Sequence, residues 1–232
     1  MEYPQISILT PTYNRSKFLP LYVYNIISQN YPKNKLEVCI YDDGTEPFCK
    51  YEDLQKLLYP IKVKYHYNKV KKSIGEKRNY LVKKLASHKI CIMFDDDDIY
   101  LNDYIRYSVD TLKKERAGLV GSNGMIFCYP NNDFKLTAIK CKELYQIHEA
   151  TMCFTKKYFN SMGGFTKSSR GEGAGFILDR KNGVAETDIQ YCMICVAHDG
   201  NTVDKEQFNK KDIGGNYEGD RKDILKQVLS LE

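Results

Sequence analysis

No apolar stretch of the 232-residue chain is long enough to cross a bilayer. The longest runs, 90–94 and 191–197, fall far short of the roughly 20 residues a membrane helix needs. The opening Met1-Glu2-Tyr3-Pro4 has no basic region followed by a long apolar one, so a secretion signal is not expected. Tryptophan is absent. There is no internal repeat, low-complexity tract or linker, which predicts a single domain over residues 1–232. Nor is there a strong excess of charge: 35 Lys and Arg against 30 Asp and Glu give +5. The small basic clusters at 69–72, 77–78 and 113–116 read as a solvated face rather than a nucleic-acid groove. An anionic substrate or an acidic membrane surface stays compatible with them.

What is present is ordinary globular composition, 42% hydrophobic and 28% charged, which excludes global disorder. The eight cysteines lie partly inside apolar runs and read as reduced and intracellular. Cys192 and Cys195 have C-x-x-C spacing. They fall in a strand-like run, where positions three apart point to opposite faces, so zinc or redox use is not expected. His66, His88 and His148 stand outside any cluster and carry no assigned role.

The first half alternates apolar runs of strand and helix type. Strands are predicted at 6–10, 36–41, 61–67 and 89–94, with helices at 16–29, 52–58 and 75–86 between them. This alternation predicts a doubly wound, mainly parallel sheet of Rossmann type. The second half is less regular. Strands are expected at 118–129, 147–154 and 188–198, a short helix at 156–162, a turn at Gly163-Gly164-Phe165, a helix opening within 171–178, and an amphipathic helix over 219–231. The expected lobes are 1–105 and a smaller mixed one at 106–204, followed by a tail at 205–232.

Open α/β sheets bind ligands beyond the carboxyl ends of their strands. Three features gather there: Pro11-Thr12-Tyr13-Asn14-Arg15, Asp42-Asp43-Gly44-Thr45, and Asp95-Asp96-Asp97-Asp98. Four adjacent carboxylates raise one another's pKa, and a hard divalent cation such as Mn²⁺ or Mg²⁺ removes that penalty. In an extended segment Asp95 and Asp97 point one way, Asp96 and Asp98 the other. A solvated acidic turn is the bland alternative, but the run follows directly on a buried strand.

These segments, with Gly75-Glu76-Lys77-Arg78-Asn79 between the second and the third and Gly163-Gly164-Phe165 after them, resemble the ordered motifs of glycosyltransferase family 2. The resemblance is strong over 5–105 and looser to about 200. It implies a GT-A fold and an inverting sugar transfer from a nucleotide sugar, UDP-linked by preference, to the hydroxyl of a glycan or other acceptor. Pro11, Thr12, Tyr13, Asn14 and Arg15 would border the nucleotide. Asp43, or Asp42, would accept from the uracil ring N–H, and Lys77 and Arg78 would lie near base or diphosphate. The aspartate run would be the D-x-D element, with Asp95 and Asp97 on the metal; a shifted register puts Asp96 on the ribose. His198 would complete the metal site.

The resemblance also implies a base from an acidic pair soon after the Gly-Gly-Phe turn, and the sequence departs from that pattern. Glu172 stands seven residues past Phe165 and is the preferred base, with Glu186 and Asp188 as alternatives. A sugar-nucleotide nucleotidyltransferase is disfavoured because the loop after strand one has no glycine. An inactive nucleotide- or carbohydrate-binding module is disfavoured by the acidic cluster. The expected location is cytoplasmic, with a peripheral membrane role open to the basic surface or the tail helix.

Overall fold

The computed structural model describes residues 3–143, 146–177 and 183–209. The helix expected at 219–231 lies outside the described residues.

Four parallel strands form the base of the fold: β1 (Ile6–Thr12), β2 (Leu36–Asp42), β3 (Lys62–Tyr67) and β4 (Ile90–Met93). Their spatial order is β3-β2-β1-β4, with Ile8 opposite both Val38 and Ile92. Between them run α1 (Leu19–Ile27), α2 (Tyr51–Leu57) and α3 (Ile74–Tyr80). The helix expected at 16–29 starts instead with a 3₁₀ turn, and the one at 75–86 ends in a π-helical turn, Leu81–Leu85. Strand β1 runs through Pro11, which carries no N–H for the ladder, because that residue stands near the strand's end.

The second half completes this sheet. Strands β6 (Leu119–Gly121), β9 (Cys153–Thr155) and β10 (Val184–Glu186) extend it beyond β4 in the order β9-β6-β10. Only β9 runs against the others in this seven-stranded sheet. A smaller four-stranded sheet holds β5 (Ile99–Tyr100), β11 (Met193–Val196), β7 (Gly124–Tyr129) and β8 (Lys135–Lys140) in that order. The overall class is thus the expected mixed α/β, mostly parallel sheet.

Several expected boundaries move. The run 118–129 is two strands in two different sheets, broken at Ser122-Asn123, where the Ser122 N–H turns to the Thr151 hydroxyl at 2.8 Å. The run 147–154 is a 3₁₀ turn, Glu149–Thr151, before β9, and 188–198 is a 3₁₀ turn, Ile189–Tyr191, before β11. Glu186 ends strand β10. The helix α4 (Tyr104–Lys114) has no counterpart among the sequence expectations.

Side-chain alternation along the strands separates two apolar layers. Ile6, Ile8, Val38, Ile40 and Ile92 face α1, α2 and α4, meeting Tyr22, Ile26, Leu54, Ile105 and Val109. Leu9, Cys39, Cys91 and Met93 face the other way, toward Leu81, Val82 and three phenylalanines, Phe159 of α5 (Lys156–Met162), Phe165, and Phe176 of α6 (Ala174–Ile177). Cys192 and Cys195 pack in the first layer, and all eight cysteines are free thiols. Among the described residues no helix is long and apolar enough to cross a membrane.

Candidate active site

The carboxyl ends of β1 and β4 and the start of α3 enclose a cleft of about 510 Å³. Pro11, Thr12, Tyr13, Asn14, Arg15, Lys77, Arg78, Asp95, Asp96 and Asp97 all line it. So do Lys71 and Lys72, which the sequence reading left on a solvated basic face, and Ser169, Gly200 and Thr202, which it did not single out. The available signal for the two lysines was their place just ahead of the cap of α3.

That cap is a box: Ser73 Oγ accepts from the Glu76 N–H at 3.3 Å, and Glu76 Oε2 accepts from the Ser73 N–H at 3.1 Å. The capped helix sets consecutive side chains in different directions. Lys77 donates to the Thr12 carbonyl at 2.9 Å and pairs with Asp43 at 2.7 Å. Burial pulls the Lys77 ammonium below its ordinary pKa, with Asp43 opposing. Asn79 clamps the Gly-Gly-Phe turn, donating to the Phe165 carbonyl at 2.8 Å and accepting from its N–H at 2.9 Å. Gly163 and Gly164 need their φ of +80° and +89° for that turn, and a Cβ on Gly164 would meet Asn79 Oδ1 at 2.4 Å.

Asp42 and Asp43 do not line the cleft. Asp42 shapes the loop after β2, accepting from the N–H of Gly44 at 2.9 Å and of Phe48 at 2.7 Å. Asp43 stands behind Lys77, its second oxygen taken by the Lys72 N–H at 2.6 Å.

The aspartate run turns rather than extending, so the expected alternation fails: Asp95, Asp96 and Asp97 all line the cleft. Asp98 turns into the protein, where Oδ1 accepts from the Val196 N–H at 3.0 Å, and burial beside Asp97 pushes it up to about 7. Asp96 accepts from the Thr12 hydroxyl and is raised well above the carboxylate range by burial, then by Asp97. Asp95 is raised by burial against the pull of Arg78. Burial raises Asp97 too, but His198 and Arg15 outweigh it and hold the carboxyl below its ordinary value. Arg15 lies 3.1 Å and His198 Nε2 3.0 Å from Asp97 Oδ2. His198 Nδ1 accepts from the Gly200 N–H at 3.1 Å, and Nε2 faces both Asp97 Oδ2 and Asn201 Nδ2 at 3.0 Å.

Among the described residues no three Asp, Glu, His or Cys side chains are already gathered as a cation site. Asp95 and Asp97 nevertheless open on one cleft, and burial first, with the Asp97 charge adding, raises Asp95, Asp96 and Asp98. A Mg²⁺-like ion is ordinarily held by one or two carboxylates and substrate phosphates, so this donor set fits one. His198 in this arrangement orients Asp97 from behind.

A second cavity of about 300 Å³ adjoins the cleft, lined by Met125, Phe127, His148, Glu149, Glu172 and Lys205 among others. Glu172 is 4% exposed and raised by burial and Glu149, against Arg78. Its loop is tied on both sides: the Thr166 N–H donates to the Glu172 carbonyl at 3.0 Å, and the Gly173 N–H to Glu149 Oε1 at 3.0 Å. The structure sets Glu186 and Asp188 apart, on a different cavity beside Ser122 and Asn123, where Glu186 pairs with Lys140 at 2.8 Å. Glu149 and Lys205 have no local sequence signal; the fold brings them in.

The family model described as Glycosyl transferase family 2 matches residues 7–181. A dolichyl N-acetyl-alpha-D-glucosaminyl phosphate 3-beta-D-2,3-diacetamido-2,3-dideoxy-beta-D-glucuronosyltransferase from Methanococcus voltae is 26% identical over 52% of this chain and 39% of its own length. A processive diacylglycerol beta-glycosyltransferase from Mycoplasma genitalium is 26% identical over 61% of this chain and 42% of its own. The chain thus spans about two fifths of these relatives. Among solved structures, S. aureus TarS 1–349 in complex with UDP superposes with a TM-score of 0.65 at 17% identity, covering 83% of this chain and 60% of that one. The mannosyltransferase PcManGT from Pyrobaculum calidifontis, in complex with GDP-Man and Mn²⁺, gives 0.64 at 16%, covering 90% and 59%.

Proposed function

The chain belongs to glycosyltransferase family 2, and we propose that it moves a sugar from a nucleotide diphosphate sugar to an acceptor hydroxyl with inversion at the anomeric carbon. One observation carries this reading. A cleft lined by both cations and carboxylates shares Arg15, Arg78, Asp95 and Asp97 with a cavity holding a buried glutamate. Arg15, Lys71 and Lys72 would meet the diphosphate and Lys77 would hold the floor through Asp43, while the Tyr13 ring carries the Lys71 ammonium 3.8 Å from its centroid. The nucleotide is read as uridine, the one bound in the TarS structure; the guanosine of the mannosyltransferase complex is the competitor.

Glu172 is the proposed base. The acceptor oxygen bonds to the anomeric carbon as the bond from that carbon to the diphosphate breaks, and the hydroxyl proton passes to the Glu172 carboxylate. A carboxyl raised by burial is a better proton acceptor than an exposed one. Asp95 and Asp97 would hold a Mn²⁺ or Mg²⁺ ion, whose chemistry is to neutralise charge on the leaving diphosphate. His198 and Arg15 keep Asp97 ionised for that task.

A thermal-shift screen of UDP- and GDP-sugars with Mn²⁺ present tests the donor, since a ligand of the native state raises its melting temperature. Calorimetry with UDP should show tighter binding with Mn²⁺ than with chelator, and Asp97→Asn should erase the difference. Equal affinity with and without the ion would remove the metal from the scheme.

A further inference from the structure

Arg78 is almost fully buried and lines both cavities. Its guanidinium touches two carboxylates: Asp95, which lines both cavities, and Glu172, which lines the second and not the first. Nη2 lies 3.3 Å from Asp95 Oδ1 on the donor side, and Nε lies 3.2 Å from Glu172 Oε1 on the other. Nη1 donates to the Glu149 carbonyl at 3.1 Å, which fixes the plane of the fork.

The two carboxylate contacts are unequal in kind. The Asp95 contact is a hydrogen bond. The Glu172 contact is within ion-pair distance, yet the buried Nε has no hydrogen-bond partner, so the N–H does not point at the glutamate. Charge holds Glu172 here without directional bonding, and a donor proton is left unspent.

This pairing works against the base. A cation beside a carboxylate favours its ionised form and makes it a poorer proton acceptor. Guanidinium, in turn, is matched to phosphate by its paired N–H groups and would gain from a partner that satisfies Nε. A diphosphate entering the first cleft arrives on the wall that Arg78 provides.

Resting on the function proposed above, we infer that Arg78 holds Glu172 in reserve until a nucleotide diphosphate claims the guanidinium, so that the donor must bind before the base is free to act on the acceptor. Arg78 is in this sense a positioning residue that works through Glu172 and reports donor occupancy across the partition.

Sharing implies a cost to donor binding, because the diphosphate must draw Arg78 from Glu172. Removing the Glu172 charge removes that cost. Calorimetric titration with UDP and with GDP, Mg²⁺ present, should therefore show Glu172→Gln binding its nucleotide about five- to tenfold more tightly than wild type, a coupling of ordinary size. Glu149→Gln is the control. It deletes a neighbouring charge whose side chain does not touch Arg78, while its amide oxygen can still receive the Gly173 N–H. Its affinity should stay within about twofold of wild type, below any coupling of that size. Equal tightening in both variants would mean a diffuse charge effect and would overturn the inference, as would unchanged or weaker binding in Glu172→Gln. Absence of nucleotide binding in every form would overturn the donor reading itself and this inference with it.

Discussion

Lys77 and Asp43 form a buried ion pair, 2.7 Å apart, that ties the end of β2 to the first turns of α3. The same ammonium also reaches the carbonyl of Thr12 at the end of β1. The acidic turn after β2 thus acts on the cleft through a lysine it holds in place. Asp43→Ala would leave that lysine buried without a counter-charge, a loss of about 3–5 kcal/mol. Asp43→Asn keeps an acceptor and should cost less. Urea unfolding orders the two variants, and nucleotide affinity should fall in both.

Glu172→Gln should keep the fold and bind nucleotide more tightly, yet lose transfer by about 10²-fold or more, the usual worth of a general base. Glu186→Gln, on a separate cavity, should leave transfer near wild type. Turnover assays on the two variants decide between them. The reverse pattern would move the base to Glu186.

Gly75 is where α3 meets the loop leading to Glu172. Its N–H donates to the Ser168 carbonyl at 2.8 Å, and a Cβ there would meet the Thr166 carbonyl oxygen at 1.8 Å. No rotamer relieves a clash between a methyl and backbone. Gly75→Ala should cost about 1–3 kcal/mol, and it should depress transfer more than nucleotide binding. Denaturation midpoints and the two activities measured together check this.

His148 gives the fold an acid limit. Burial in the second cavity, with Lys205 adding and Glu149 opposing, lowers its imidazole from 6.5 to about 4. Between those values the unfolded chain holds more protons than the folded one. The stability is therefore full above pH 6.5 and is lost as the pH falls toward 4. The effect is up to roughly 3 kcal/mol, from about 1.4 kcal/mol per pH unit. His148→Gln should flatten the stability curve across that window; a wild-type curve already flat there would contradict the buried neutral imidazole.

Strands β1, β2 and β4 were legible because a parallel strand buried on both faces reads as a mainly apolar run ending in a polar loop, as Ile90 to Met93 does before Asp95, while the half-exposed β3 was legible from its alternation. The residues those loops bring to the cleft, from Pro11 to Arg15 and from Asp95 to Asp97, followed from that placement. Helix α4 was not legible: two of its buried positions are Tyr104 and Ser108, which weaken an apolar stripe. The break at Ser122-Asn123 was hidden because β6 and β7 are apolar on both sides of it. Strand β8, bounded by Lys135 and Lys140, looks like surface. The standing of Glu172 against Arg78, and of Asp43 behind Lys77, depends on side chains 94 and 34 positions apart, which no local pattern records.

Lys77, Arg78 and Asn79 follow one another on α3, and each neighbour on an α-helix is rotated by about 100°. Within this short arc the first braces the nucleotide floor, the second stands in the partition, and the third fastens the turn that leads to Glu172. The helix works as a camshaft: a single insertion or deletion there would turn all three lobes out of phase at once, while the strands that carry them stayed intact. Drift in this protein should therefore tolerate a conservative exchange at any one of these three positions more readily than any change in the length of α3.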